Sequence, residues 1–217
     1  MLKAVIFDMD GLMFDTEKIA KDGWKKVGEK LGFEVTDEML EAVTGLDVEN
    51  TRKVFLKYLG NDFDYYTARK MRLEYSLNYM AEHGVPIKKG LPELLNFLEE
   101  NKIKRAVATS TAKVRAVQNL KSANVFDDFD AIICGDMVER GKPEPDIFLK
   151  AAELLSCKPS ECIVLEDSPN GILAAYRGGF KAIMVPDLIK PDGKTKKMLY
   201  AKCDSLLEAI EIIKNIL

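Results

Sequence analysis

The 217-residue chain is short of the side chains that would mark a metal-thiolate or imidazole enzyme: it has four cysteines and one histidine. Cys134, Cys157, Cys162 and Cys203 are widely spaced and form no Cys-x-x-Cys pair, and His83 is their one nitrogen partner. A zinc finger or redox dithiol is thereby excluded, and free thiols are expected. Cys134 and Cys162 lie in apolar, strand-like runs where a thiol packs as a small hydrophobe. His83, just before Gly84, reads as the last residue of a helix rather than a catalytic base. Charge of one sign is lacking as well. A net charge of −3 and a pI near 5.5 give no electrostatic reason for a nucleic acid or an anionic membrane as partner. Long apolar runs are missing, so no bilayer span is expected. The N-terminal apolar run is short and ends in acidic residues, unlike a leader, and a cytoplasmic setting is the expectation. No repeat or low-complexity tract is present, nothing points to a partner protein, and a monomer is expected.

What the chain does have is a set of polar clusters following short apolar runs. Ala4 to Phe7 is unbroken apolar sequence, the composition of a strand covered on both faces of a parallel sheet. It delivers Asp8-Met9-Asp10-Gly11 beyond its end, where ligands bind in open α/β sheets. Two carboxylates aimed at one small volume need a cation or a shared proton. Magnesium prefers oxygen ligands and leaves positions for water and phosphate. Asp8 can then attack phosphorus, while Asp10 protonates the leaving oxygen and later deprotonates water. Alone, the motif fits equally well a turn whose carboxylates cap amides.

Three later stretches weigh against that plainer reading. Thr109-Ser110-Thr111 follows the strand Lys104 to Ala108 and opens a helix, bringing hydroxyls and free amides to an anion site, with Thr111 a candidate N-cap. Gly141-Lys142-Pro143-Glu144-Pro145 aims a lysine from a loop stiffened by two prolines. Leu165-Glu166-Asp167-Ser168 adds two acids to the end of another buried run. Asp167 can complete a metal site, with Glu166 behind it contacting Lys142 or a bound water.

Between the first strand and the rest of the α/β pattern, helical spacing runs through Glu17 to Leu31, Asp37 to Val43, Asp47 to Leu59 and Asp64 to Glu82. The expected organisation is an all-helical insert, residues 15–83, within an α/β core of residues 1–14 and 84–217. From Leu91 onward helices alternate with short apolar strands, the signature of a parallel sheet. Pro186 to Lys197 reads as a mobile surface loop.

Four polar clusters in this order, each at a strand end, resemble the haloacid dehalogenase superfamily of phosphotransferases across nearly the whole chain. The resemblance implies a Rossmann-like core with a central parallel sheet flanked by helices, a movable helical cap, Mg2+, and an aspartyl-phosphate on Asp8. It implies Asp10 as acid, base and backbone-carbonyl metal ligand. Asp8 and Asp167 become the metal-binding carboxylates, and Thr109, the Ser110 amide and Lys142 the phosphate holders. Dehalogenases of the family lack the second aspartate, so Asp10 favours phosphoryl chemistry.

The opening Phe7 to Glu17 is similar to that of β-phosphoglucomutase-like members and of sugar-phosphate phosphatases. In the mutases a cap histidine, a Lys-Gly pair and an arginine match Ala20, Thr44-Gly45 and Val48 here. Those departures remove groups that clamp a bisphosphate, and Arg52, Arg69 and Lys70 read as a solvated helix face. The expectation is a phosphatase acting on a small phosphorylated metabolite such as a sugar phosphate, with substrate chosen by the cap around Gly45. A mutase is the alternative. A silent interaction protein is disfavoured because Asp8, Asp10, Lys142 and Asp167 are all present.

Overall fold

The computed structural model describes residues 1–44, 46 and 48–217. The chain divides into two compact units, Met1–Asp15 with Pro86–Leu217, and Thr16–Val85.

The first unit is a six-stranded sheet: β1 (Ala4–Phe7), β2 (Lys104–Thr109), β3 (Ala131–Cys134), β4 (Cys162–Glu166), β5 (Lys181–Met184) and β6 (Ala201–Lys202). All pairs are parallel and the spatial order is β3-β2-β1-β4-β5-β6. The order reverses at β1, flanked by β2 and β4, so the crevice of a doubly wound sheet falls beyond the carboxyl ends of these strands. The cause lies in the side chains. β1 and β4 are buried at every position, a burial available only to strands covered by helices on both faces. Ala4, Ile6, Ala106, Ala108, Val164 and Ala182 pack against Ile147, Phe148 and Ala151 of α7 (Asp146–Leu154) and Ile172 and Ala175 of α8 (Pro169–Arg177). On other helices of this unit, Leu94 and Leu98 of α5 (Leu91–Glu100) and Ala209 and Ile213 of α10 (Leu206–Lys214) are fully buried. Two further helices are α6 (Lys113–Ser122) and the short α9 (Gly193–Lys196).

The second unit contains α1 (Thr16–Leu31), α2 (Asp37–Val43), α3 (Val48–Leu59) and α4 (Tyr65–His83). Its core is aromatic: Trp24 lies 4.4 Å from Phe55 and 5.9 Å from Tyr65 between ring centroids, and Phe55 stacks on Phe63 at 5.9 Å. Thr36 and Asp64 cap α2 and α4, accepting from Met39 N and Thr67 N. Among the described residues, no helix is long and apolar enough to cross a membrane.

Several local expectations shift. Helix α1 begins at Thr16, one residue ahead of the expected start at Glu17. The segment expected to be a mobile loop, Pro186 to Lys197, contains α9, because Asp192 Oδ1 accepts from Thr195 N at 2.7 Å and buries Thr195. The two-residue β6 was too short to show a pattern. Gly45 and Asp47, and with them the substrate-choosing role expected around Gly45, lie outside the described residues. The four cysteines are free thiols. Burial pushes Cys162 up to about 12 and Cys203 up to about 11, so neither is a ready nucleophile.

Candidate active site

The parallel register sets the geometry. Phe7 pairs with Val107 on one side and Leu165 on the other, so the next residues on the three strands are Asp8, Ala108 and Glu166. The Asp8 amide is held by Leu165 O at 3.0 Å, fixing where its carboxylate begins. Asp8 and Glu166 are among the most buried polar residues, 7% and 1% exposed.

Lys142 reaches them from its loop. Its ammonium donates to Asp8 Oδ1 at 2.5 Å, Glu166 Oε1 at 2.7 Å and Ala108 O at 3.1 Å, and lies 4.8 Å from the centroid of the Phe148 ring. All three ammonium protons therefore have acceptors. The loop is fastened from outside: Arg140 forks onto Asp146 at 3.0 and 3.1 Å, and Arg177 Nη1 donates to Pro143 O and Glu144 Oε1 at 3.1 and 2.7 Å.

Glu166 spends both oxygens locally. Oε1 takes Lys142, and Oε2 accepts from Ser168 N at 2.8 Å and Ser168 Oγ at 2.9 Å. The carboxyl lies so close to the Cα of Gly171 that a Cβ there would overlap it, so residue 171 has to be glycine. Gly11 faces the same constraint from Asp167, at a φ of +86° that also favours glycine.

Asp8, Glu166 and Asp167 bring one oxygen each within 4.8 Å of one another. Of the three, Glu166 has both oxygens committed to Lys142 and Ser168. Burial, with Glu166 and Asp10 nearby, pushes Asp8 up to about 7 against the pull of Lys142. Burial, then Glu166 and Asp8, push Asp167 up to about 10. Burial alone pulls Lys142 down, but the two carboxylates prevail and hold it above its ordinary value. Two buried acids and the half-buried Asp167 thus face one ammonium, and a hard divalent cation such as magnesium, which takes oxygen donors, fits the set by favouring the charged forms that burial disfavours.

Asp10 lies near enough for its charge to raise Asp8. Its Oδ2 accepts from Thr111 Oγ1 at 2.7 Å and, at a long 3.5 Å, from Thr109 Oγ1. Thr109 is buried, whereas Ser110 is exposed. The expected helix cap at Thr111 is not formed. Ala112 takes the N-cap position without a side-chain bond, and Asp136 instead accepts from Lys113 N at 3.1 and 3.2 Å. Sequence reading passed over the Thr111 to Asp10 bond, Ser168 behind Glu166, and Phe148 under Lys142. The first had one available signal, the shared side of residues two apart at a strand end.

A model of a family described as haloacid dehalogenase-like hydrolase matches residues 5–185. A phosphorylated carbohydrates phosphatase of Thermotoga maritima is 31% identical over 212 residues, which cover 98% of this chain and 97% of that protein. A beta-phosphoglucomutase of Bacillus subtilis is 32% identical over 192 residues, covering 85% and 83%. Among solved structures, a Thermotoga maritima protein described as a candidate beta-phosphoglucomutase matches with a TM-score of 0.84 at 29% identity, covering 100% of both chains.

Proposed function

The chain belongs to the haloacid dehalogenase-like hydrolase family, and from that premise we propose that it is a magnesium-dependent phosphatase of a small phosphorylated metabolite, a sugar phosphate by preference, working through an aspartyl-phosphate on Asp8. A phosphatase or phosphosugar enzyme of this family is supported by the family match and the named relatives. The observation that carries the finer reading is the buried Lys142 ammonium, which pairs at once with Asp8 and Glu166 beside Asp167.

In this reading residues 1–14 and 84–217 form the catalytic core and residues 15–83 the cap. Asp8, Asp167 and the backbone carbonyl of Asp10 would hold the metal, which when bound supplies charge neutralisation and a fixed phosphate orientation. Lys142 holds the Asp8 carboxylate in place and offsets charge on the phosphoryl oxygens. Thr109 and the Ser110 amide hold the phosphate. Asp8 attacks phosphorus as the bond to the alcohol oxygen breaks, and Asp10 gives that oxygen a proton. Asp10 then takes a proton from the water that attacks phosphorus and releases Asp8. Glu166, buried and fully bonded, keeps Lys142 aimed.

The phosphatase is favoured over the mutase by the cap residues Ala20 and Val48, which lack the polar groups that would clamp a second phosphate, while the mutase relative keeps the alternative specific. Phosphorus NMR with magnesium decides between them, using β-glucose 1-phosphate primed with its bisphosphate beside a panel of hexose and pentose phosphates. Growth of inorganic phosphate is the expected result. Conversion to glucose 6-phosphate without phosphate release would assign a mutase.

A further inference from the structure

We propose that Thr111 is a positioning residue for Asp10: its hydroxyl, 2.7 Å from Asp10 Oδ2, fixes the orientation of the carboxyl that serves the leaving group. The inference rests on the reading of Asp10 as acid and base given above.

A threonine just ahead of a helix ordinarily spends its hydroxyl on the helix's first amides. Here that task is taken by Asp136, which accepts from Lys113 N with both oxygens. Thr111 is released from capping, and its position is set by two backbone bonds. Its amide donates to Thr109 Oγ1 at 3.1 Å, and its carbonyl accepts from Gly135 N at 3.2 Å. Gly135 in turn lies so close to the Ser110 carbonyl that a Cβ there would overlap it, so the turn is closed from the β3 side. The Thr111 hydroxyl is thus delivered to Asp10 from a turn held on both sides.

The chemical consequence follows from which oxygen is taken. The Thr111 hydroxyl holds Oδ2, and holding one oxygen of a carboxyl fixes the plane in which the other lies. In the first half-reaction the Asp8 oxygen forms its bond to phosphorus, the phosphorus–alcohol bond breaks, and the electron pair leaves on the alcohol oxygen. That oxygen takes the Asp10 proton. In the second half, water attacks phosphorus, its proton returns to Asp10, and the Asp8–phosphorus bond breaks. Loss of the Thr111 hydroxyl leaves every reacting group in place but removes the shorter of the two hydroxyl bonds to Asp10 Oδ2, 2.7 Å against 3.5 Å from Thr109, and so loosens the hold on that carboxyl.

The test is a leaving-group series of similar shape, p-nitrophenyl, phenyl and benzyl phosphate, with kcat/KM measured for wild type, Thr111→Val and Thr111→Ser. Nitrophenolate departs without a proton, so Thr111→Val is expected to lose less than about twofold there and about tenfold on benzyl phosphate, where acid assistance matters most. Thr111→Ser restores the hydroxyl and is expected to recover the benzyl rate. Equal losses across the series, a gain in rate, or no recovery with serine would overturn the inference. If Thr111→Val fails to fold, as judged by circular dichroism, Thr111→Ala takes its place in the series. Asp8→Asn, measured alongside, separates the two levels. Retained turnover there removes the aspartyl-phosphate reading itself, whereas a dead Asp8→Asn with a flat Thr111 series removes only the role of Thr111.

Discussion

The two units bury different things. Among the described residues, the buried acids Asp8 and Glu166 belong to the sheet unit, while the helical unit buries an aromatic cluster and, of polar side chains, Thr51 and Ser76. The helical unit carries ion pairs at its surface, Arg52 with Glu49 and Lys25 with Asp37, and a half-buried Arg72 over the Trp24 ring at 5.7 Å. Removing ions from water is costly, and a fold keeps them inside only where partners saturate them. Lys142, with three acceptors, is such a case. The contrast teaches that the helical unit centres on aromatic packing, whereas the sheet unit carries an electrostatic cost that packing does not require and the proposed chemistry does.

The sharpest way to break this contrast is Asp8→Asn. It is near-isosteric, so turnover of p-nitrophenyl phosphate is expected to fall at least about a thousandfold while circular dichroism stays unchanged. Lys142→Met comes next. It is expected to lower kcat about a hundredfold and, by leaving Asp8 and Glu166 without their cation, to cost about 3 kcal/mol in urea unfolding. Wild-type stability in Lys142→Met would contradict the pairing of a charged Lys142 with Asp8 and Glu166.

Phe55→Ala probes the other unit. Removing a fully buried ring is expected to cost about 3–5 kcal/mol locally. Hydrogen exchange should then show lost protection in Thr16–Val85 with strands β1 and β4 still protected.

Metal and pH supply a smaller effect whose sign is fixed. Asp8 and Asp167 are held up, to about 7 and about 10, so the metal-free folded state binds more protons than the unfolded chain. Their contribution to stability is full below the unfolded carboxylate range and is lost as pH rises through 7 toward 10. With chelator, Tm is expected to fall by about 2–4 °C or more between pH 6 and pH 8.5, and Asp167→Asn or added magnesium should flatten that slope. The smallest effect belongs to Arg177→Ala. Its pair with Glu144 is about two-fifths exposed, so a loss of about 0.5 kcal/mol or less is expected, with a few-fold fall in kcat from a looser Lys142 loop.

Much of the sheet was legible because its signals are local. The apolar run Ala4 to Phe7 spells a doubly covered strand, and alternation of such runs with helical spacing spells a parallel sheet. The positions of Asp8 and Asp167 at strand ends, and of Lys142 on a loop stiffened by prolines, follow from the same reading. What escaped depends on partners far along the chain. Thr111 looks like a helix cap until Asp136 is seen to hold the Lys113 amide. Glu166 looks like a second-rank acid until its oxygens are seen divided between Lys142 and Ser168, with Gly171 leaving room for it. Neither contact has a periodicity to betray it.

In the proposed mechanism Asp8 carries the phosphoryl group. The most direct test incubates the protein with magnesium and glucose 6-phosphate or p-nitrophenyl phosphate, quenches with acid during turnover, reduces with borohydride and maps peptides by mass spectrometry. An acyl phosphate on Asp8 is reduced to homoserine at position 8, and that is the expected result. Turnover with residue 8 recovered wholly as aspartate would contradict it.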